Sequence, residues 1–149
     1  MSGFKPQNPA FEARVRDSFA RQPFMDYIGA TLDVLEPGYC ELHLACREEL
    51  TQQHGFTHGG VLATIADSAA GYAAFSLMPA ESSVLTVEYK LNIMRPGVGD
   101  KMIAKATVIK PGRNITVVGS DVYGVKDGEE VLCVASIQTL MALHGREDR

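Results

Sequence analysis

The sequence predicts an α+β domain in which a strongly curved antiparallel sheet wraps one long helix, and three observations carry that prediction. From Val61 to Met78 the chain has small or apolar residues on every side of a helix, with Asp67 as the sole charge, which is the pattern of a helix enclosed by other structure. After it, apolar and polar residues alternate with a period of two: Leu85, Val87, Tyr89, Leu91 and Ile93 against Thr86, Glu88, Lys90 and Asn92. Third, the count is one buried helix against six strands. A single helix can be enclosed by that many strands only if the sheet curves around it.

The elements follow in chain order. Asn8-Pro9 reads as a helix N-cap with proline at the first helical position, and Phe11, Val15 and Phe19 give a short amphipathic N-terminal helix ending near Gln22-Pro23. Thr31 to Glu36 and Tyr39 to Ala45 flank Pro37-Gly38 as a hairpin. Arg47 to His54 is polar loop, and the long helix begins at His58-Gly59-Gly60. Strands are then expected to about Ile93, from Met102 to Lys110, from Ile115 to Val125 and from Val131 to Leu143. The last of these is apolar on both faces and belongs inside the sheet. Short breaks at Arg95-Pro96-Gly97, Pro111-Gly112-Arg113-Asn114 and Lys126-Asp127-Gly128 predict an antiparallel meander of the four late strands. No linker or repeat divides residues 1–149, so a single domain is expected, and the sheet face that one helix leaves bare calls for a second copy of the chain.

Composition narrows the functions. In 149 residues, 46% are hydrophobic and 21% charged, which is globular rather than disordered. Lys plus Arg is 14 against 18 Asp plus Glu, an acidic balance that speaks against a nucleic-acid partner. Cys40, Cys46 and Cys133 form no CxxC pair and supply neither a disulfide framework nor a metal site, and they suit a reducing cytoplasm. Residues 1–19 contain no apolar signal core, and Val61–Met78 carries too much Ala, Gly, Ser and Thr around its Asp to favour a membrane span. A cytoplasmic location and no membrane partner are expected.

Chemistry concentrates in the run Gln52-Gln53-His54-Gly55-Phe56-Thr57-His58-Gly59-Gly60 and in Asp67. Two glycines at a helix start admit close approach by a ligand, and the first amides of a helix lack internal partners at its positive end. They can hold a developing oxyanion, although a glycine turn that merely lets the helix pack tightly has the same sequence. Asp67 is a costly charge in an apolar helix: either a structural carboxylate bonded to a neighbour, or a nucleophile or general base. His54 and His58 have no third ligand and do not make a metal site. From Glu88 to Arg113 six basic residues face two acidic ones, a set that is either solvated surface or partly a phosphate contact.

The run HGFTHGGVLATIADSAAG, with IGATLDVLEPGYCELHL before it and VEYKLNIMRP and KPGRN after it, resembles the hot-dog-fold acyl-CoA thioesterases of the phenylacetate-degradation (PaaI) type over about residues 24–142. The resemblance implies a homo-oligomer, a dimer at least, with a dimer of dimers as the larger assembly. It implies an acyl-CoA substrate and no cofactor. It also implies that the Gly59 amide polarises the thioester carbonyl, that Asp67 attacks or activates water, that Thr86 helps place that water, and that Gln52 lies near the reacting centre. Eight helical residues put Gly59 and Asp67 about 12 Å apart along the axis, so the Asp67 acting at a given Gly59 is expected to be the partner subunit's. His58 is the motif histidine, and Gly60, Lys90, Arg113 and Asn114 fall at substrate-binding positions, with Arg113 meeting CoA phosphates. Thr86 stands where the family often has Ser, and Gln52 where Asn is commoner. Pocket depth would rest on residues such as Tyr72, Phe75 and Met94. Two other functions compete: a non-catalytic acyl-CoA binding protein, which needs no Asp67, and a hot-dog acyl-carrier dehydratase or hydratase, whose loop motif this one does not resemble.

Overall fold

The computed structural model describes residues 3–148. Helix α1 runs Phe11–Ala20 and α2 Pro23–Ile28; strands β1 (Ala30–Glu36) and β2 (Tyr39–Ala45) form the first hairpin. A 3-10 turn, Glu48–Leu50, leads to α3 (Gly59–Phe75), and β3 (Ser82–Ile93), β4 (Lys101–Lys110), β5 (Ile115–Lys126) and β6 (Glu129–His144) complete the chain. The six strands make one antiparallel sheet in the order β1-β2-β4-β5-β6-β3.

Three expectations are corrected. The N-terminal helix starts two residues after Pro9, because Asn8 and Pro9 are spent on a turn: the Asn8 side chain accepts from the Ala10 amide at 3.0 Å and its carbonyl from Phe11. The first helix ends near Gln22-Pro23 as expected, at Ala20, but a second short helix that the sequence did not predict follows it. Pro23 takes the first position of α2, where its missing N–H costs nothing, and Gly29 at φ 78° stops that helix. Finally, β4, β5 and β6 form a meander but β3 is not in it. β3 pairs with the far side of β6, while β4 lies against β2. The seven residues 94–100 make the crossing. They span at most about 23–25 Å, whereas three strand spacings come to about 14 Å. Thr57 bridges to Gly97 on the way, so this connection passes over the start of α3.

Placing β3 at the far edge is what closes the sheet around α3. Ile65, Ala66, Ala69, Ala70, Ala73 and Phe75 are all fully buried. Small side chains let the strands approach the helix closely, and the Ser120 hydroxyl of β5 donates to the Ala66 carbonyl at 2.9 Å. The other end of α3 is held by Arg14. Its guanidinium donates to the carbonyls of Phe75, Met78, Pro79 and Ala80 and lies 4.0 Å from the Phe75 ring centre. That cation satisfies carbonyls at the negative end of the helix. No helix among the described residues is long and apolar enough to cross a membrane.

The outer edge tells a different story. β3 is 12 residues long, and all of it from Leu85 onward lies open or half-open, including Leu85, Val87, Tyr89 and Ile93 at roughly half exposure. A long apolar edge strand with unpaired backbone groups is a surface that proteins normally cover.

Candidate active site

α3 presents a different chemical group near each of two cavities. At its first turn the chain arrives through Gln52–His58 and enters the helix at Gly59. The His58 side chain is the N-cap: Nδ1 accepts from the Gly60 amide at 2.8 Å, which places the ring proton of the neutral form on Nε2. The His58 carbonyl takes the Val61 and Leu62 amides. The Gly59 amide donates to no other group among the described residues, and it sits at the positive end of a 17-residue helix. A cleft of about 340 Å3 opens there, lined by Gly59, Gln52, Phe56, Ile93, Met94 and Arg95. A Cβ on residue 59 would come within 2.8 Å of the Ile93 side chain, so glycine keeps this cleft open.

Asp67 lies two turns further along, half-buried beside a separate cavity. Thr86 Oγ1 donates to Asp67 Oδ1 at 2.7 Å. Burial pushes the Asp67 carboxyl above the usual carboxylate range, and the Thr86 hydrogen bond opposes that rise. The local backbone explains why Thr86 reaches the helix. Between Thr86 and Glu88 the β3–β6 register shifts, and this bulge interrupts the alternation at Val87. Thr86 faces Leu140, a buried residue of the concave side, and beyond the bulge Tyr89, Leu91 and Ile93 occupy that side.

The structure thus brings Asp67 together with Thr86, and Gly59 with Gln52, but it separates the two pairs. The eight residues between Gly59 and Asp67 correspond to about 12 Å of helix. The Gln52 side chain lines the Gly59 cleft with its carbonyl oxygen engaged by the His54 amide. The Gly60 amide, expected at the substrate, is taken by His58. Lys90 is on the outer face: it pairs with the half-exposed Ile137 and its Nζ donates to Asn92 Oδ1, so strand alternation turns it away from the α3 side. Arg113 and Asn114 form an exposed turn beyond the Asp67 end of the sheet, where His144 Nε2 contacts the Arg113 carbonyl at 2.9 Å and Asn114 Oδ1 at 3.2 Å. The basic set from Glu88 to Arg113 is therefore dispersed. Lys105 is committed to Glu130 at 2.7 Å, and Arg95 lies at the Gly59 cleft. Of the residues expected to set pocket depth, Tyr72 and Met94 line the two cavities, while Phe75 is core beneath Arg14.

The N-terminal helical region, which carries no site signal in the sequence, also contributes: Ser18 and Gln22 line the Asp67 cavity and hydrogen-bond with Tyr72. Nothing local in the sequence marks them, since the contact joins residues about fifty apart. Cys40 is buried and its thiol pushed up to about 12, which makes it an inert core group.

The family model of the Thioesterase superfamily matches residues 54–131, which include both Gly59 and Asp67. The chain belongs to the thioesterase superfamily. A solved thioesterase family protein from Silicibacter pomeroyi is 50% identical, with a TM-score of 0.89 covering 91% of this chain and 99% of that one. A provisionally named esterase of Saccharolobus solfataricus is 30% identical over 127 residues, 85% of this chain and 82% of its own length. The E. coli PaaI protein from the phenylacetic acid degradation operon has the same fold at 18% identity, with a TM-score of 0.82 over 94% of this chain and 98% of that one. The hot-dog architecture expected from sequence is the one observed, and the superfamily's chemistry is hydrolysis of thioesters and esters.

Proposed function

We propose that the protein is an acyl-CoA thioesterase whose active site is completed between two copies of the chain. One observation carries this reading: the amide suited to hold the carbonyl and the carboxylate suited to activate water belong to the same helix but to separate cavities. A carbonyl oxygen bound at the Gly59 amide would sit about 3 Å from its donor. The Asp67 side chain of the same chain is too short to close the remaining gap of roughly 12 Å along the axis. Antiparallel pairing of β3 with β3 of a second copy would cover the open edge. With Thr86 opposite the partner's Ile93 and the bulge at Val87 skipped in each strand, the two-fold axis would fall at Lys90 and each Asp67 cavity would meet a Gly59 cleft.

In such a site the thioester oxygen accepts from the Gly59 amide, and the helix end stabilises the charge that develops on it. Ionised Asp67 takes a proton from water as the water oxygen bonds to the carbonyl carbon. The C–S bond then breaks, the CoA thiolate leaves and takes the proton back from Asp67, and the acid remains. Thr86 occupies one carboxylate oxygen and leaves the other for the water. Together with the upward shift of its pKa, this favours a general base over a direct nucleophile. The Gln52 amide group is available to the water or substrate because its carbonyl is already engaged.

Thiol release from a panel of acyl-CoAs tests the assignment. Wild type is expected to hydrolyse at least one member, and Asp67→Asn to lower kcat by roughly 10²–10⁴. The melting temperature of that variant should not fall, because burial disfavours the charge that Asn removes. Full activity in a normally folded Asn variant would take Asp67 out of the mechanism. Binding of acyl-CoA with no turnover by wild type would identify a non-catalytic binder instead.

A further inference from the structure

The Asp67 cavity extends along α3 away from Gly59. It measures about 200 Å3 and passes Ser68 and Gly71 to reach Tyr72, with Ser18 and Gln22 opposite. Gly71 is the first notable feature of its wall. Glycine is the poorest residue after proline for a helix interior, and the fold has no packing need for it here, since a Cβ at residue 71 would meet no atom within 4 Å. Its open side belongs to the cavity. The far wall is the second feature. Tyr72 is 3% exposed, its hydroxyl accepts from Gln22 Nε2 at 2.7 Å and lies 3.4 Å from Ser18 Oγ, and its ring meets Phe19 edge-on at 5.7 Å. These contacts hold the N-terminal helices against α3 and wall the cavity at its Tyr72 end, where Asp148 also lines it, while another side stays open to solvent.

Resting on the thioesterase reading above, we propose that this cavity receives the acyl group. Gly71 supplies its room and the Tyr72–Gln22 pair ends it, so that compact acyl groups are selected over long apolar chains. At about 200 Å3 the cavity is below the roughly 300–1,000 Å3 usual for a ligand pocket, which suits a compact acyl group. A longer chain would have to part Tyr72 from Gln22 and leave the buried Tyr72 hydroxyl with only its 3.4 Å contact to Ser18, a cost that an apolar chain end cannot offset by hydrogen bonding. Neither residue touches the reacting carbonyl in this arrangement; they determine specificity.

The test compares kcat/KM for acetyl-, butanoyl-, hexanoyl- and dodecanoyl-CoA in wild type, Gly71→Ala and Gly71→Leu. Wild type should favour hexanoyl over dodecanoyl. Gly71→Leu should lower the hexanoyl-to-acetyl ratio by roughly tenfold or more, the scale on which pocket fit discriminates between chains. Gly71→Ala should shift the ratio in the same direction, less strongly, while melting at or above the wild-type temperature, which separates selectivity from folding. Dodecanoyl-CoA cleaved as well as hexanoyl-CoA, or equal losses on every substrate in the variants, would overturn the acyl-cavity assignment and leave the thioesterase reading intact. A wild type inactive on the whole panel would overturn that reading instead. Calorimetric titration with butanoate and hexanoate then decides the cavity alone: binding lost in Gly71→Leu upholds it, and binding absent or unaltered rejects it.

Discussion

At the scale of single residues, Asp67 and Thr86 act as one unit. The carboxylate is half-buried with one hydroxyl donor at 2.7 Å, and the two influences on its pKa oppose each other, burial the larger. A general base works only when ionised, so kcat/KM should fall as pH drops through the Asp67 pKa, and that limb should lie above the usual carboxylate range. Thr86→Val removes the influence that lowers the pKa. The acid limb should therefore move to higher pH, and Thr86→Ser, which keeps the donor, should restore it. A pH–rate profile of the three proteins on one acyl-CoA checks this; an unmoved limb in Thr86→Val would mean that the titrating group is not Asp67. His58 is instructive at the same scale. Its sequence position beside two glycines allowed a hydrogen bond that positions the loop or a place near the departing group, and its nitrogen makes the first of these, capping α3.

At the scale of elements, α3 is a rod with an amide donor at one end and a carboxylate in its middle, and its Ala-rich faces let the sheet hold it rigidly. The turn between β4 and β5 is a smaller example of the same pre-organisation. A Cβ at Gly112 would approach the Ile115 carbonyl to 2.2 Å, and His144 fastens the next two residues, so the turn has one shape and carries Arg113 exposed at its tip. If Arg113 meets the phosphates of CoA, Arg113→Ala should raise KM for acyl-CoA with little change in kcat, because it removes binding shared by ground and transition states. The same variant should behave like wild type toward a pantetheine thioester that lacks the nucleotide. Equal losses on both substrates would make Arg113 a folding residue.

At the scale of the whole molecule, the proposed site makes activity a property of paired chains. Asp67→Asn and Gly59→Val chains should each be inactive as homodimers, the second because the added side chain meets Ile93. A mixed dimer then holds one site with both lesions and one with neither, so about half of the activity per dimer should return. Purified mixed dimers assayed for thiol release check this, and persistent inactivity would place the complete site within one chain.

The strands, the enclosed helix, the first hairpin and the Gly59–Asp67 motif were legible in the sequence because each rests on local periodicity or turn chemistry. Gly71 was legible in principle, as a glycine inside a helix. Three features were not, for a shared reason. The place of β3 beyond β6, the lining of the Asp67 cavity by Ser18 and Gln22, and the outward turn of Lys90 depend on which strand pairs with which and in what register. Those choices are made by long-range burial around α3, where backbone pairing and apolar contact are satisfied together, and no local pattern encodes them. The sequence by itself determined which chemical groups the protein owns and, through eight helical residues, how far apart Gly59 and Asp67 stand. The tertiary structure decided which side chains surround each of them, because Thr86, Ser18 and Gln22 come to the carboxylate's cavity, and Ile93 and Met94 to the amide's cleft, only through long-range packing.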